Sequence, residues 1–257
     1  ILLLKGNPSM KKCAPTLLVL VLTHFSATAQ GPNSTKPQSS TPTAATTPVI
    51  TANTTPLELA RAALAAQGGD KFKNLKSMML TGSADLFAPN SAQSVPGKFA
   101  MVTAGDKVRI DIDASPIFKF KQVFDGQQSY SSIPGITMPP ASKFGLPVLA
   151  RFDQPGYTVS AVPDKKKLRG FRVVDAEGNT TDFYLDAANG RVMMYLIPYN
   201  GYMFGTENSK FKEVEGVLIP FSFSQRLETP QGAFFAEYKV KDVKLNQPIG
   251  DDVFVMP

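Results

Sequence analysis

Thr181-Asp-Phe-Tyr-Leu-Asp186, Asn189-Gly190 and Arg191-Val-Met-Met-Tyr-Leu-Ile197 read in series as a strand, a two-residue hairpin turn and a second strand. The pattern continues through Lys210-Phe-Lys-Glu-Val-Glu-Gly216 and Val217-Leu-Ile-Pro-Phe-Ser-Phe223 to Tyr238–Pro257. Several of these strands are apolar at consecutive positions. An antiparallel sheet with one wet face reads apolar-in and polar-out, so strands that are greasy on both sides need something to cover or fill the second face.

Working back towards the N-terminus, turn signals at Gly105-Asp106, Asp125-Gly126 and Glu177-Gly-Asn179 separate further period-two segments. Expected strands are 77–87, 98–103, 107–113, 117–124, 127–133, 157–162, 168–174, 180–186, 191–199, 203–214, 217–227 and 233–245, paired as a meander. One helix precedes them. Thr55 is its N-cap, Pro56 suits its first position, Glu58 lies in the first turn, and Gly68-Gly69 stops it after Gln67. The segment from Pro134 to Pro155, with Pro139-Pro140 and Pro147, interrupts the strands. It predicts a short helix and a lid over the sheet. The fold class expected is α+β, mainly β: a large curved antiparallel sheet or partial barrel.

The 257 residues, 43% of them hydrophobic, suffice for a proper core. Residues 10–29 read as a secretory signal, with Lys11-Lys12 as the basic region, Leu17 to Leu22 as the apolar core and Ala27-Thr-Ala29 as the cleavage site. Residues 1–9 precede the first methionine and read as upstream or non-native sequence. Residues 30–55, rich in Ser, Thr, Pro and Ala with Lys36 as the lone charge, read as a disordered linker. The folded domain is expected over 56–257. Cys13 lies before the apolar core of the signal, which is the wrong side for a lipid-modified cysteine. The protein is therefore expected to be exported, not lipid-anchored and at most peripheral to a membrane.

His24 and Cys13, the single histidine and the single cysteine, both fall in the cleaved segment. A mature chain without either residue loses Ser-His-Asp and Cys-His nucleophiles, zinc sites built on them, and disulfides. No phosphate loop, dinucleotide glycine pattern or nucleophile elbow is present. Loss of Lys5, Lys11 and Lys12 leaves 24 basic against 21 acidic residues, so the net charge falls from +6 to +3. Lys165-Lys-Lys167 reads as a solvated turn, since no aromatics interleave it as single-strand nucleic-acid binding requires. Asp111 and Asp113 share the polar face of an amphipathic strand, and Asp251-Asp252 reads as a turn before a final strand. The reading is a non-enzyme with no cofactor, no metal and no nucleic-acid partner.

Seventeen phenylalanines remain in the mature chain, and most are expected in the core. Val192–Ile197 and Gly232–Ala236 nevertheless offer apolar groups to both faces. Either helices cover the second face or it lines a ligand cavity. An uncharged cavity of Phe, Met, Ile and Leu suits acyl chains, because burial yields about 0.8 kcal/mol per methylene without a directional partner, and Met lets the wall adapt.

Phe183-Tyr-Leu-Asp186, Lys212-Glu-Val-Glu-Gly-Val-Leu-Ile-Pro-Phe221, Tyr238 to Ile249 and Asp251-Asp-Val-Phe254 together resemble the ending of outer-membrane lipoprotein-sorting proteins, the LolA/LolB/RseB-like superfamily. Gly68-Gly-Asp-Lys71 and Leu75 to Gly82 resemble the start of many members. The resemblance implies an unclosed half-barrel with a few helices over its concave face and a cavity that accepts lipoprotein acyl chains. It implies a role as periplasmic carrier, receptor or sensor, with lipoproteins or lipids and envelope transport proteins as partners. The acyl-chain cavity is expected to be lined by Phe118, Phe120, Phe144, Leu149, Met193, Tyr195, Ile197, Phe221, Phe223 and Phe234.

Overall fold

A computed structural model describes residues 49–133, 138–230 and 232–256. The leader, most of the linker and part of the proline-bounded segment lie outside them. Helix α1 (Pro56–Gln67) starts where the sequence places it. The Thr55 hydroxyl accepts a hydrogen bond from the Glu58 backbone N–H while the Glu58 carboxylate accepts one from the Thr55 N–H, a reciprocal capping box. Gly68, at φ +119°, closes the helix, and a short α2 (Asp70–Lys73) follows.

Twelve strands form one antiparallel sheet. The first five are β1 (Ser77–Phe87), β2 (Ser94–Ala104), β3 (Lys107–Ala114), β4 (Phe118–Phe124) and β5 (Ser129–Ser131). After the insert come β6 (Thr158–Ala161), β7 (Leu168–Val174), β8 (Thr180–Asp186), β9 (Val192–Tyr199), β10 (Tyr202–Val214), β11 (Val217–Thr229) and β12 (Gly232–Leu245). Each expected strand exists, but the pairing is not one meander. The order is β5-β4-β3-β2-β1-β12-β11-β10-β9-β8-β7-β6, two meanders joined where β1 meets β12. β5 and β6 are left as the two free edges. Gly82 marks the seam: at the register shift after Thr81, any Cβ there would collide with the Lys239 carbonyl oxygen. The tail also departs from expectation. Asp251–Phe254 forms a 3-10 turn and no final strand, because Lys107 pairs with Asp251 at 2.7 Å, Arg109 donates to the Val253 carbonyl, and Phe254 is buried.

One ladder of directly opposed residues defines the inner face: Ala161, Phe171, Phe183, Tyr195, Thr206, Gln225, Ala236, Leu86 and Val95, from β6 across to β2. On this face α1 places Leu59, Ala60 and Ala63 against Phe171, Phe183 and Val192, together with Val148, Leu149 and Phe152 of the insert. A second cluster gathers Phe99, Ile112, Phe120, Phe223, Tyr238 and their neighbours from β1–β4, β11 and β12, with Phe72 of α2 packed on it. The sheet is strongly curved. The 3-10 turn Ala141–Lys143 touches β3, while the next residue, Phe144, packs on Tyr199 of β9 at 5.4 Å between ring centres. Those strands stand six places apart, about 29 Å in a flat sheet.

Phe183 is fully buried and stacked on Phe171 at 5.1 Å. Phe183→Ala is expected to cost about 3–5 kcal/mol of unfolding free energy, read as a lowered urea midpoint.

Candidate functional site

The inner face of the sheet is a trough, and the insert lies across it. After β5, Ser132 donates its N–H to the Lys121 carbonyl and Gln122 donates its side-chain amide to the Pro139 carbonyl at 2.8 Å, which holds the start of the crossing to β4. The 3-10 turn and a four-residue helix α3 (Leu146–Leu149) then occupy the trough, in keeping with the short helix the sequence predicts. Gly145 sits between them at φ +64°, donates its N–H to Thr181 of β8 at 3.2 Å, and passes so close to Tyr195 that a Cβ would lie 2.8 Å from the ring. No side chain fits in that gap.

Three ion pairs fasten the insert to elements far away in sequence. Lys143 meets Glu177 in the β7–β8 turn at 2.6 Å, Arg151 meets Asp106 in the β2–β3 turn at 2.7 Å, and Asp153 meets Lys73 of α2 at 2.6 Å. Arg151 also donates to the Pro147 and Ser142 carbonyls, so one guanidinium holds the insert's own bend and ties it to the sheet. The hydrogen bond from Lys73 is the main reason the Asp153 carboxyl lies below its usual range.

The ten residues expected to line a cavity do not gather at one place. Leu149 and Tyr195 belong with the α1 cluster, Phe120, Phe221 and Phe223 with the β1–β4 cluster, and Phe144 reaches across to Tyr199. Ile197 is buried one ladder position above Tyr195. Phe118 and Phe234 are 38% and 43% exposed at the trough end away from α1, near the β3–β4 and β11–β12 turns. Met193 is the extra residue of a bulge, because Tyr184 opposes Met194 while Leu185 opposes Val192.

That bulge explains the doubly apolar β9. It turns Val192, Tyr195 and Ile197 to the inner face and Met194 and Leu196 to the outer face, where they meet Met203 and Phe235 in an open groove of about 270 Å³. Phe235 also packs on Phe87 at 5.6 Å. The inner face is thus helix- and insert-covered, and the outer apolar residues line a surface groove.

Among the described residues every buried polar side chain is neutral: Gln67, Ser77, Gln122, Ser142, Thr181, Thr206 and Asn208. β10 supplies Thr206 and Asn208 at the centre of the inner face, between the rings of Tyr195 and Phe223. Burial pushes the Tyr195 phenol up, and a hydrogen bond with Thr206 pulls it partly back. Sequence reading missed the strapping ion pairs and Gln67. A lone glutamine one turn beyond Ala63, on the helix face of Leu59, was the signal available for the latter.

No family model matches the sequence, and no curated protein does. The architecture is nevertheless known. A LolA superfamily protein of Nitrosomonas europaea is 11% identical, covers 76% of this chain and 97% of its own length, and superposes with a TM-score of 0.50. A DUF1329 family protein of Desulfovibrio piger (9% identity, 79% of this chain and 98% of that one, TM-score 0.49) is also similar. So is an outer membrane lipoprotein-sorting protein domain described as putative from Vibrio parahaemolyticus (13%, 77% and 95%, TM-score 0.47). The chain shares the fold of the Nitrosomonas europaea protein, an unclosed, mainly β half-barrel, as the sequence resemblance implies.

The strap is testable apart from any ligand. Arg151→Met is expected to speed amide exchange in residues 141–153 about tenfold while the global unfolding midpoint moves little. A depressed carboxyl stabilises above its unfolded value and loses that contribution as pH falls through its folded one. Protection factors of the insert amides, which divide out the intrinsic pH dependence of exchange, are therefore expected to hold steady from neutral pH to about 3.8, the ordinary value for Asp153, and to fall below it.

Proposed function

We propose that this chain is an exported, non-enzymatic binding protein that sequesters acyl chains of lipids or lipoproteins in the trough between its curved sheet and the insert, in the periplasm and in outer-membrane lipoprotein sorting. One observation carries the reading: an apolar inner face with no buried charge, covered by an insert held through ion pairs and a few hydrogen bonds. Such a cover is held by solvent-exposed pairs worth about 0–1 kcal/mol each and by the buried side chains of Phe144, Val148, Leu149 and Phe152 at about 1.5–3 kcal/mol each. An incoming chain of a dozen methylenes buried at about 0.8 kcal/mol each is of the same size and takes the place of those side chains on the sheet. Phe118 and Phe234, exposed at the far end of the same face, are the first apolar contacts for an arriving chain. The leader at 10–29 and linker at 30–55 would deliver the domain at 56–257 across the inner membrane and leave it on a tether. Among the described residues no helix is long and apolar enough to cross a membrane.

A second reading rests on the outer groove. Met194, Leu196, Met203 and Phe235 form a surface to which a protein partner could dock, as in a sensor domain of the same fold without lipid cargo.

Native mass spectrometry of the full chain purified from the cell envelope separates the two. Acylated species that co-purify, and that fall about tenfold in the Phe118→Asp/Phe234→Asp double variant while its thermal midpoint is kept, support sequestration, since a charge at the lip must be desolvated when the chain enters. Spectra that stay empty of lipid but carry a tight protein partner favour the sensor reading.

A further inference from the structure

The proposed function treats the trough as a greasy surface, yet its cover carries one group that a greasy surface does not want. Gln67 ends α1 on the face that packs on the sheet, one turn beyond Ala63, and is 0% exposed. Its side-chain oxygen and nitrogen both lack a hydrogen-bond partner among the described residues. A leucine or methionine there would continue the apolar stripe of Leu59, Ala60 and Ala63 without leaving a donor and an acceptor stripped of solvent. Gly68, the next residue, abuts Gly216 and Val217 at the start of β11, and Phe72 belongs to the second cluster. Gln67 therefore stands at the seam between the two apolar clusters. On the sheet side, β10 interrupts the apolar lining with Thr206 and Asn208. The latter donates to the Val192 carbonyl at 3.0 Å.

We propose that Gln67 forms a polar subsite at this seam of the trough, one that takes the secondary amide of an amide-linked acyl chain. The proposal rests on the acyl-binding reading above and names the chemical class of its cargo. A carboxamide presents one acceptor and a donor pair, and a secondary amide presents the complementary N–H and carbonyl. An ester has no N–H to give to the Gln67 oxygen. A free carboxylate would lose its hydration for a neutral carboxamide partner. The apolar clusters on either side hold hydrocarbon, and the seam fixes how deep the chain sits by where its linkage lies.

Equilibrium dialysis of the full chain against two probes of equal length, N-methyldodecanamide and methyl dodecanoate, tests this. The unsubstituted protein is expected to bind the amide about tenfold more tightly than the ester. Gln67→Met is expected to bind both equally, with its ester affinity unchanged and its thermal midpoint equal or higher. Equal binding of the two probes by the unsubstituted protein, which needs no variant to read, overturns the proposal and leaves acyl binding standing. So does a preference that survives Gln67→Met, or a fall in that variant's stability that marks Gln67 as a structural group. Failure of either protein to take up either probe overturns the acyl-binding reading and this one together.

Discussion

The pairing of β1 with β12 is the contact on which the architecture rests. It joins residues 78–87 to residues 235–245 across most of the folded chain, with one register shift at Thr81/Gly82. Without it the strands would be two separate meanders, β1–β5 and β6–β12, and the second apolar cluster, which draws on β1–β4 as well as β11 and β12, would be divided. With it the sheet has twelve strands and two free edges, β5 and β6, which are neighbours in sequence and ends in space. The connection between them must then cross the open side. The position of the cover thus follows from a strand pairing on the far side of the trough.

The strands were legible because their turns are: Asn189-Gly190, Gly105-Asp106 and Asp125-Gly126 punctuate the chain at hairpin spacing, and the period-two runs between them need no tertiary information. The helix start was equally plain in Thr55-Pro56 with Glu58. What the sequence hid was of two kinds. Long-range pairing carries no local signal, so β1–β12 and the ion pairs of Lys143, Arg151 and Asp153, whose partners lie 34 to 80 residues away, could not be read from spacing. The bulge of β9 was hidden for a different reason. A bulge adds one residue and flips the parity of everything beyond it. At Met193 this sends Val192 and Tyr195 to the same side though they are three apart. The ten candidate residues are spread along the sheet over two apolar clusters, the insert and the exposed trough end.

The two-sided greasiness of β9 and β12 has two physical origins. One side is ordinary core, closed by α1, α3 and the insert's Phe144. The other is a surface groove whose apolar residues sit between Glu207, Arg226 and Glu228, with Arg226 and Glu228 paired at 3.1 Å. A sheet buried on one face and partly apolar on the other keeps its antiparallel hydrogen bonds while offering two chemically different surfaces. The inner one is enclosed and adaptable, and the outer one is shallow and open.

The insert is continuous with both edge strands, Ser131 on one side and Thr158 on the other. A flap rooted at a single point swings clear and leaves the rim behind it unchanged. Here both ends of the cover stay on the sheet, and the ion pairs of Lys143, Arg151 and Asp153 hold points between them, so it is fastened along its middle as well as at its ends.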